Sequence, residues 1–132
     1  MGCCGWKASD GEEPADPAPP PLPIEVLDHH RALAESALNA ATGGRPLCRI
    51  SDITDVSRPK FAEGGLAAVR EFQRKRSGEA DTDTLTIAGD LLATWEIERQ
   101  ASETLGPTWA AYRNGGVARL RAIIADLGTP AP

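Results

Sequence analysis

Residues 115 to 128 read GGVARLRAIIADLG. Val117, Leu120, Ile123, Ile124 and Leu127 recur at steps of three and four, the spacing that puts side chains on one face of an α-helix. Gly128 supplies a C-terminal cap, and residues 129 to 132 read as a frayed, disordered tail. This is the cleanest amphipathic pattern in the chain, and it sets the expectation of a helical protein.

The same spacing appears upstream. Val26, Leu27, His30, Leu33, Ala34, Ala37, Leu38 and Ala41 form an apolar stripe. It begins near Pro23, a residue suited to a first helical turn, and Thr42-Gly43-Gly44 ends it. A second helix is expected from about Pro59 or Gly65 to Arg76, with Leu66, Val69 and Phe72 inward and Ser77-Gly78 as its stop. Asp81, Asp83 and Thr84 are candidate caps for a third helix spanning about Thr84 to Leu105. Its expected inward side chains are Ala88, Leu91, Leu92, Trp95 and Leu105, and Gly106-Pro107 terminates it. A last segment runs from Thr108 through Trp109 and Tyr112 to Asn114, and resumes as a helix after Gly115-Gly116.

Two stretches resist helix. Residues 46 to 56, PLCRISDITDV, are β-branched and carry a Ser51-Asp52 turn signal, so an ordered loop is expected, with a short strand at Leu47 to Ile50 as the alternative. Residues 1 to 22 hold five prolines between positions 14 and 21. Proline lacks an N–H and blocks helix, so a disordered or extended acidic arm is expected there, suited to act as a tether or docking strand. The fold class that follows is mostly α. It comprises a disordered Pro-rich arm (1–22), then an irregular bundle of four to five helices (23–128) with an alanine-rich core.

The segments FAEGGLAAVREF (61–72) and YRNGGVARLRAI (112–123) align without gaps. Each shows an aromatic, two residues, Gly-Gly, and then an aliphatic and arginine pattern. The structural expectation is an aromatic anchor, a glycine break and an amphipathic helix. A functional alternative is an anion at the free N–H groups of a helix start, near Arg70 or Arg121. No GxxxxGK[ST] or GxGxxG pattern accompanies it.

The formal net charge of −5 argues against whole-protein attraction to nucleic acid or anionic membranes. Its distribution is uneven. Residues 58 to 76 are basic (Arg58, Lys60, Arg70, Arg74, Lys75, Arg76), whereas residues 77 to 106 carry seven carboxylates against Arg99 alone. Two solvated helix faces that attract each other are the simplest account. The run Arg70 to Arg76 sets basic residues beside Phe72, so Arg70, Arg74, Lys75 and Arg76, with Arg119 and Arg121, are candidate nucleic-acid or anion contacts.

Catalytic signatures are absent from the sequence. The histidines are consecutive, no serine sits in a GxSxG elbow, and the carboxylate pairs Asp81/Asp83 and Glu96/Glu98 lie in polar runs. Cys3, Cys4, Cys48, His29 and His30 are the soft metal ligands, but adjacent pairs do not match structural zinc spacing. The Met-Gly-Cys-Cys start superficially resembles a dual-acylation signal, yet Trp6 stands where Ser or Thr is wanted. Three cysteines, no secretory leader and no membrane-length apolar run lead to the expectation of a reduced, cytoplasmic protein or a virion component. The Ala, Arg, Gly and Pro bias suggests a GC-rich bacterial or phage gene.

The function expected from this reading is non-catalytic. It is a protein-interaction, adaptor or structural component of a larger assembly, with no cofactor and no membrane partner. Its partner is another protein or a second copy, the latter through Val117, Leu120, Ile123, Ile124 and Leu127. A nucleic-acid-associated packaging or regulatory role through residues 58–76 is the first alternative, and a small zinc or thiol protein the second.

Overall fold

The computed structural model describes residues 22–43, 57–78 and 82–128. Four α-helices account for nearly all of them, and no strand occurs among the described residues: α1 (Pro23–Thr42), α2 (Ser57–Gly78), α3 (Thr84–Ser102) and α4 (Pro107–Gly128). The expected arm and tail, the 46–56 loop or strand, and the three cysteines lie outside the described residues.

Local chemistry explains the boundaries. Pro23 opens α1, and the Glu25 carboxylate reaches back to accept the Leu22 N–H at 2.9 Å. Gly43 closes the helix in the left-handed region at φ 65°, its N–H donating to Asn39 O. At α3 the Asp83 carboxylate accepts the Thr86 N–H at 3.2 Å. That helix stops at Ser102, short of the expected Leu105. There the buried Ser102 hydroxyl donates to Arg99 O at 2.7 Å, and a turn carries the chain to Gly106 at φ 111°. Leu105 is therefore 64% exposed rather than inward.

Cross-helix pairs fix an antiparallel, up-down-up-down order. Gln73 of α2 bonds both Asp28 and Arg31 of α1. Glu71 of α2 accepts the Trp95 indole N–H of α3 at 2.9 Å, and Arg113 of α4 donates to Glu98 of α3 at 2.8 Å. The core gathers Leu27 from α1, Val69 and Phe72 from α2, Leu91 and Trp95 from α3, and Leu120 and Ile123 from α4. Full burial of a side chain such as Phe72 contributes about 1.5–3 kcal/mol.

The Gly-Gly echo has a different role from the expected break. Both pairs lie inside continuous helices and are buried, which reduces the helix count to four. A methyl group on Gly64 would lie 1.8 Å from Tyr112 O, and one on Gly115 would lie 1.9 Å from Phe61 O. The offset that carries Phe61 to Tyr112 also carries Gly64 to Gly115. The two contacts are therefore images of each other, and α2 and α4 cross about a local pseudo-twofold. Gly116 meets the face of Trp95 in the same region. Each interior glycine weakens its helix by about 0.5–1 kcal/mol relative to alanine, a loss offset by backbones that approach closely enough to pack. Their N–H groups belong to the helical ladder and face packed backbone, so no free helix start exists there to receive an anion.

The apolar face of α4 is likewise accounted for. Val117, Leu120 and Ile123 are buried in the core, and Ile124 and Leu127 pack against it. These five residues exceed what a peripheral helix needs because α4 is central, touching α1, α2 and α3. Val117, Leu120 and Ile123 are interior residues of the monomer, whereas Ile124 and Leu127 stay partly exposed at its surface.

Candidate functional site

Small residues keep α1 from closing fully onto the α2–α4 pair. Ala34, Ala37, Ala40 and Ala41 of α1 face Phe61, Ala62 and Gly65 of α2 and Ala118 and Ala122 of α4. Alanine side chains cannot span the gap, and a cleft of about 370 Å³ remains. Glycine at 65 and 115 deepens it, since no side chain rises from the crossing. Phe61 is 46% exposed on the cleft wall.

Two guanidinium groups border this apolar cleft. Arg58 stands exposed at the start of α2 and makes no ion pair or hydrogen bond among the described residues. Arg119 is half-buried on α4, and burial holds its guanidinium below the usual arginine range. Its hydrogen bond goes to His30 Nδ1, at 3.1 Å. Arginine can only donate, so Nδ1 is the acceptor and the imidazole proton sits on Nε2. Nε2 then donates to Asp126 Oδ2 at 2.6 Å. Both nitrogens of the buried His30 are thus engaged, and its ring stands between Arg119 and the Asp126 carboxylate. The cleft has two cations and, among the described residues, no anion bonded to either.

The other candidate contacts are dispersed. Arg70 and Arg74 join Arg31, Gln73 and Ser77 in a shallow surface pocket between α1 and α2, where Glu35 already lies within 4.0 Å of both Arg70 and Arg31. Lys75 faces Asp90 and Thr94 across a small depression toward α3. Arg76 donates to the Thr84 hydroxyl at 3.4 Å. Arg121 pairs with Glu96, on the α3 side of α4. The six cations therefore share no single face: Arg119 belongs to the cleft and Arg121 to the α3–α4 seam.

The attraction expected between the basic and acidic stretches takes another route. Among the described residues no cation of α2 forms an ion pair with α3. The α3 carboxylates Glu96 and Glu98 pair instead with Arg121 and Arg113 of α4. Arg113 also lies 4.8 Å over Trp95, which stacks on Tyr112 at 5.7 Å. These groups tie α3 to α4, a structural role for residues that resemble a charged site on paper.

Among the described residues no three His, Cys, Asp or Glu side chains are grouped to hold a metal ion. Among the described residues no helix is long and apolar enough to cross a membrane. The cleft is hidden in the sequence because its signal is small size at the right register: Ala34, Ala37 and Ala41 read as part of an apolar stripe, and Arg119 reads with Arg121 as a candidate nucleic-acid or anion contact. Arg58 was visible only as one member of a basic run. Known protein families, characterised proteins and solved structures contain no match to this chain.

Proposed function

We propose that this chain is a non-catalytic interaction protein, an adaptor or structural component of a larger assembly, which engages a carboxylate-bearing partner segment in the α1–α2–α4 cleft. One observation carries the reading: an alanine-lined cleft flanked by Arg58 and Arg119, neither bonded to a carboxylate among the described residues. A guanidinium held partly out of water without an anion is poorly compensated, and a partner carboxylate would supply the missing charge. The apolar floor would seat the partner's backbone or small side chains.

Tagged protein purified from its native source tests the proposal. The wild-type chain should retain a stoichiometric partner, and Arg58→Glu or Ala37→Arg should release it while leaving helicity and thermal stability unchanged. A partner retained by both variants, or none retained by the wild type, would refute the role assigned to the cleft.

A second reading, nucleic-acid association, is favoured by the convergence of Arg31, Arg70 and Arg74 in one surface pocket. Electrophoretic retardation of DNA or RNA at low salt, abolished by charge reversal at Arg31, Arg70 and Arg74, would support it. Absence of a shift at low salt would remove it.

A further inference from the structure

Taking the cleft as a binding surface, on which this step rests, we infer what fills it: the outer face of α3 from a second copy of this chain, so that copies join head to tail.

That face has the chemistry the cleft lacks. Asp83, Thr86, Asp90, Ala93 and Ile97 follow one another at steps of three and four, so they form one stripe along α3, and all five are exposed. Thr86 lies between the two carboxylates and Ala93 follows them, both small enough for an alanine floor. The Asp90 carboxylate forms no ion pair or hydrogen bond among the described residues. Asp83 accepts the Thr86 N–H through Oδ2, which leaves Oδ1 open to a second donor. Ile97, at 69%, is the most exposed large apolar side chain among the described residues.

The charges match in number and in spacing. Asp83 and Asp90 are seven residues apart, two turns of helix or about 10 Å. In the cleft, Arg119 Nε lies 3.8 Å from where a methyl group on Gly65 would stand, so Arg119 is level with Gly65. Gly65 follows Arg58 by seven residues, again about 10 Å along the helix. Two carboxylates can therefore meet two guanidinium groups in one docked arrangement, with Thr86 over the floor between them.

The contact cannot form within one copy. α3 packs on α4 and α2, its stripe points outward, and it contributes no residue to the cleft. The basic and acidic stretches, which form no ion pair between α2 and α3 inside the monomer, thus pair between copies. Two different surfaces meet, so the contact repeats and builds a ring or a filament. A cleft about 10 Å long covers far less than the roughly 800 Å² per partner of stable complexes, so the association is weak and concentration-dependent.

Sedimentation velocity of the full chain, at low salt and with reductant to exclude disulfides, reads the contact. The wild type should grow beyond a dimer as concentration rises, and high salt should reverse the growth. Arg58→Glu spoils the cleft and Asp90→Arg spoils the stripe; each alone should raise the midpoint concentration about tenfold. An equimolar mixture of the two retains one intact cleft and one intact stripe, so it should associate again but stop at dimers. Both positions are exposed, and each variant should keep the helicity and thermal stability of the wild type. A wild type that stays monomeric overturns the inference, and so does a mixture that does. Association kept by Arg58→Glu would mean that copies meet outside the cleft, and association kept by Asp90→Arg that another segment fills it; either overturns the inference. If the wild type is monomeric yet captures a different protein through Arg58, the proposed function stands and only this occupant falls.

Discussion

Replacing Gly64 by alanine should destabilise the protein by about 3 kcal/mol, although alanine is the better helix former. The new methyl carbon would lie 1.8 Å from Tyr112 O. Carbon and oxygen in contact need at least about 3 Å, so α2 and α4 must part by more than 1 Å where they cross. The colliding atom belongs to the backbone of a buried helix and has no rotamer to escape into. A gap of that size removes a quarter to half of the dispersion energy of every side-chain pair spanning the seam, Leu66, Val69, Val117 and Leu120 among them. Against that loss, alanine returns only about 0.5–1 kcal/mol of helix propensity. Gly115→Ala should behave alike, because it meets Phe61 O at 1.9 Å. Gly89→Ala is the control: an exposed position inside α3 with no neighbour within 4 Å, where the same methyl should stabilise by about 0.5–1 kcal/mol. Urea unfolding monitored by circular dichroism gives all three values. The double variant Gly64→Ala/Gly115→Ala should cost less than the sum of the singles, since the first substitution has already opened the crossing. A Gly64→Ala protein as stable as the Gly89→Ala protein would refute the close crossing and the pseudo-twofold with it.

Three further outcomes follow from individual side chains. Tyr112 is the only tyrosine, so tyrosinate absorbance reports on it alone. Its phenol is raised above the usual tyrosine value, chiefly by burial, and the folded state favours the protonated form. That contribution is complete below the unfolded value near 10 and disappears as pH rises through the folded one, so Tyr112→Phe should be less sensitive to alkaline unfolding than the wild type. His30→Leu retains the buried volume but leaves the Arg119 guanidinium and Asp126 without their shared partner, which should destabilise by about 1–3 kcal/mol in thermal or urea unfolding. Asp83→Ala removes the α3 cap and should lower stability by about 1 kcal/mol, with faster amide exchange confined to the first turn of that helix.

Much of the fold is legible in the sequence because helix signals are local. The Pro23 start, the Gly43 stop, the Asp83 cap and the heptad-like face of residues 117–127 each depend on a few neighbours in the chain. The errors arise where a residue's meaning depends on a distant helix. Gly64-Gly65 and Gly115-Gly116 carry the local signature of a break, and only the opposing backbone explains why they are tolerated within helices. Ile123 and Leu120 read as surplus apolar surface until α4 is seen to be central. Periodicity places Leu105 inward, yet α3 ends about one turn earlier, at Ser102. The candidate site was harder still. A cleft made by alanine has no motif, and Arg119 differs from Arg121 only by which neighbour its helix face meets.

The claim that the cleft is the binding surface is tested most directly by placing a photoreactive amino acid at Ala37, Ala118 or Gly89 in the native cell and sequencing what becomes attached. Ala37 and Ala118 border the cleft, whereas Gly89 is exposed on α3 with open space around it. The account predicts one set of products, shared by Ala37 and Ala118, in which the attached peptide carries Asp or Glu beside the reactive site, and no such product from Gly89. Identical products from all three positions, or products from Gly89 alone, would contradict it.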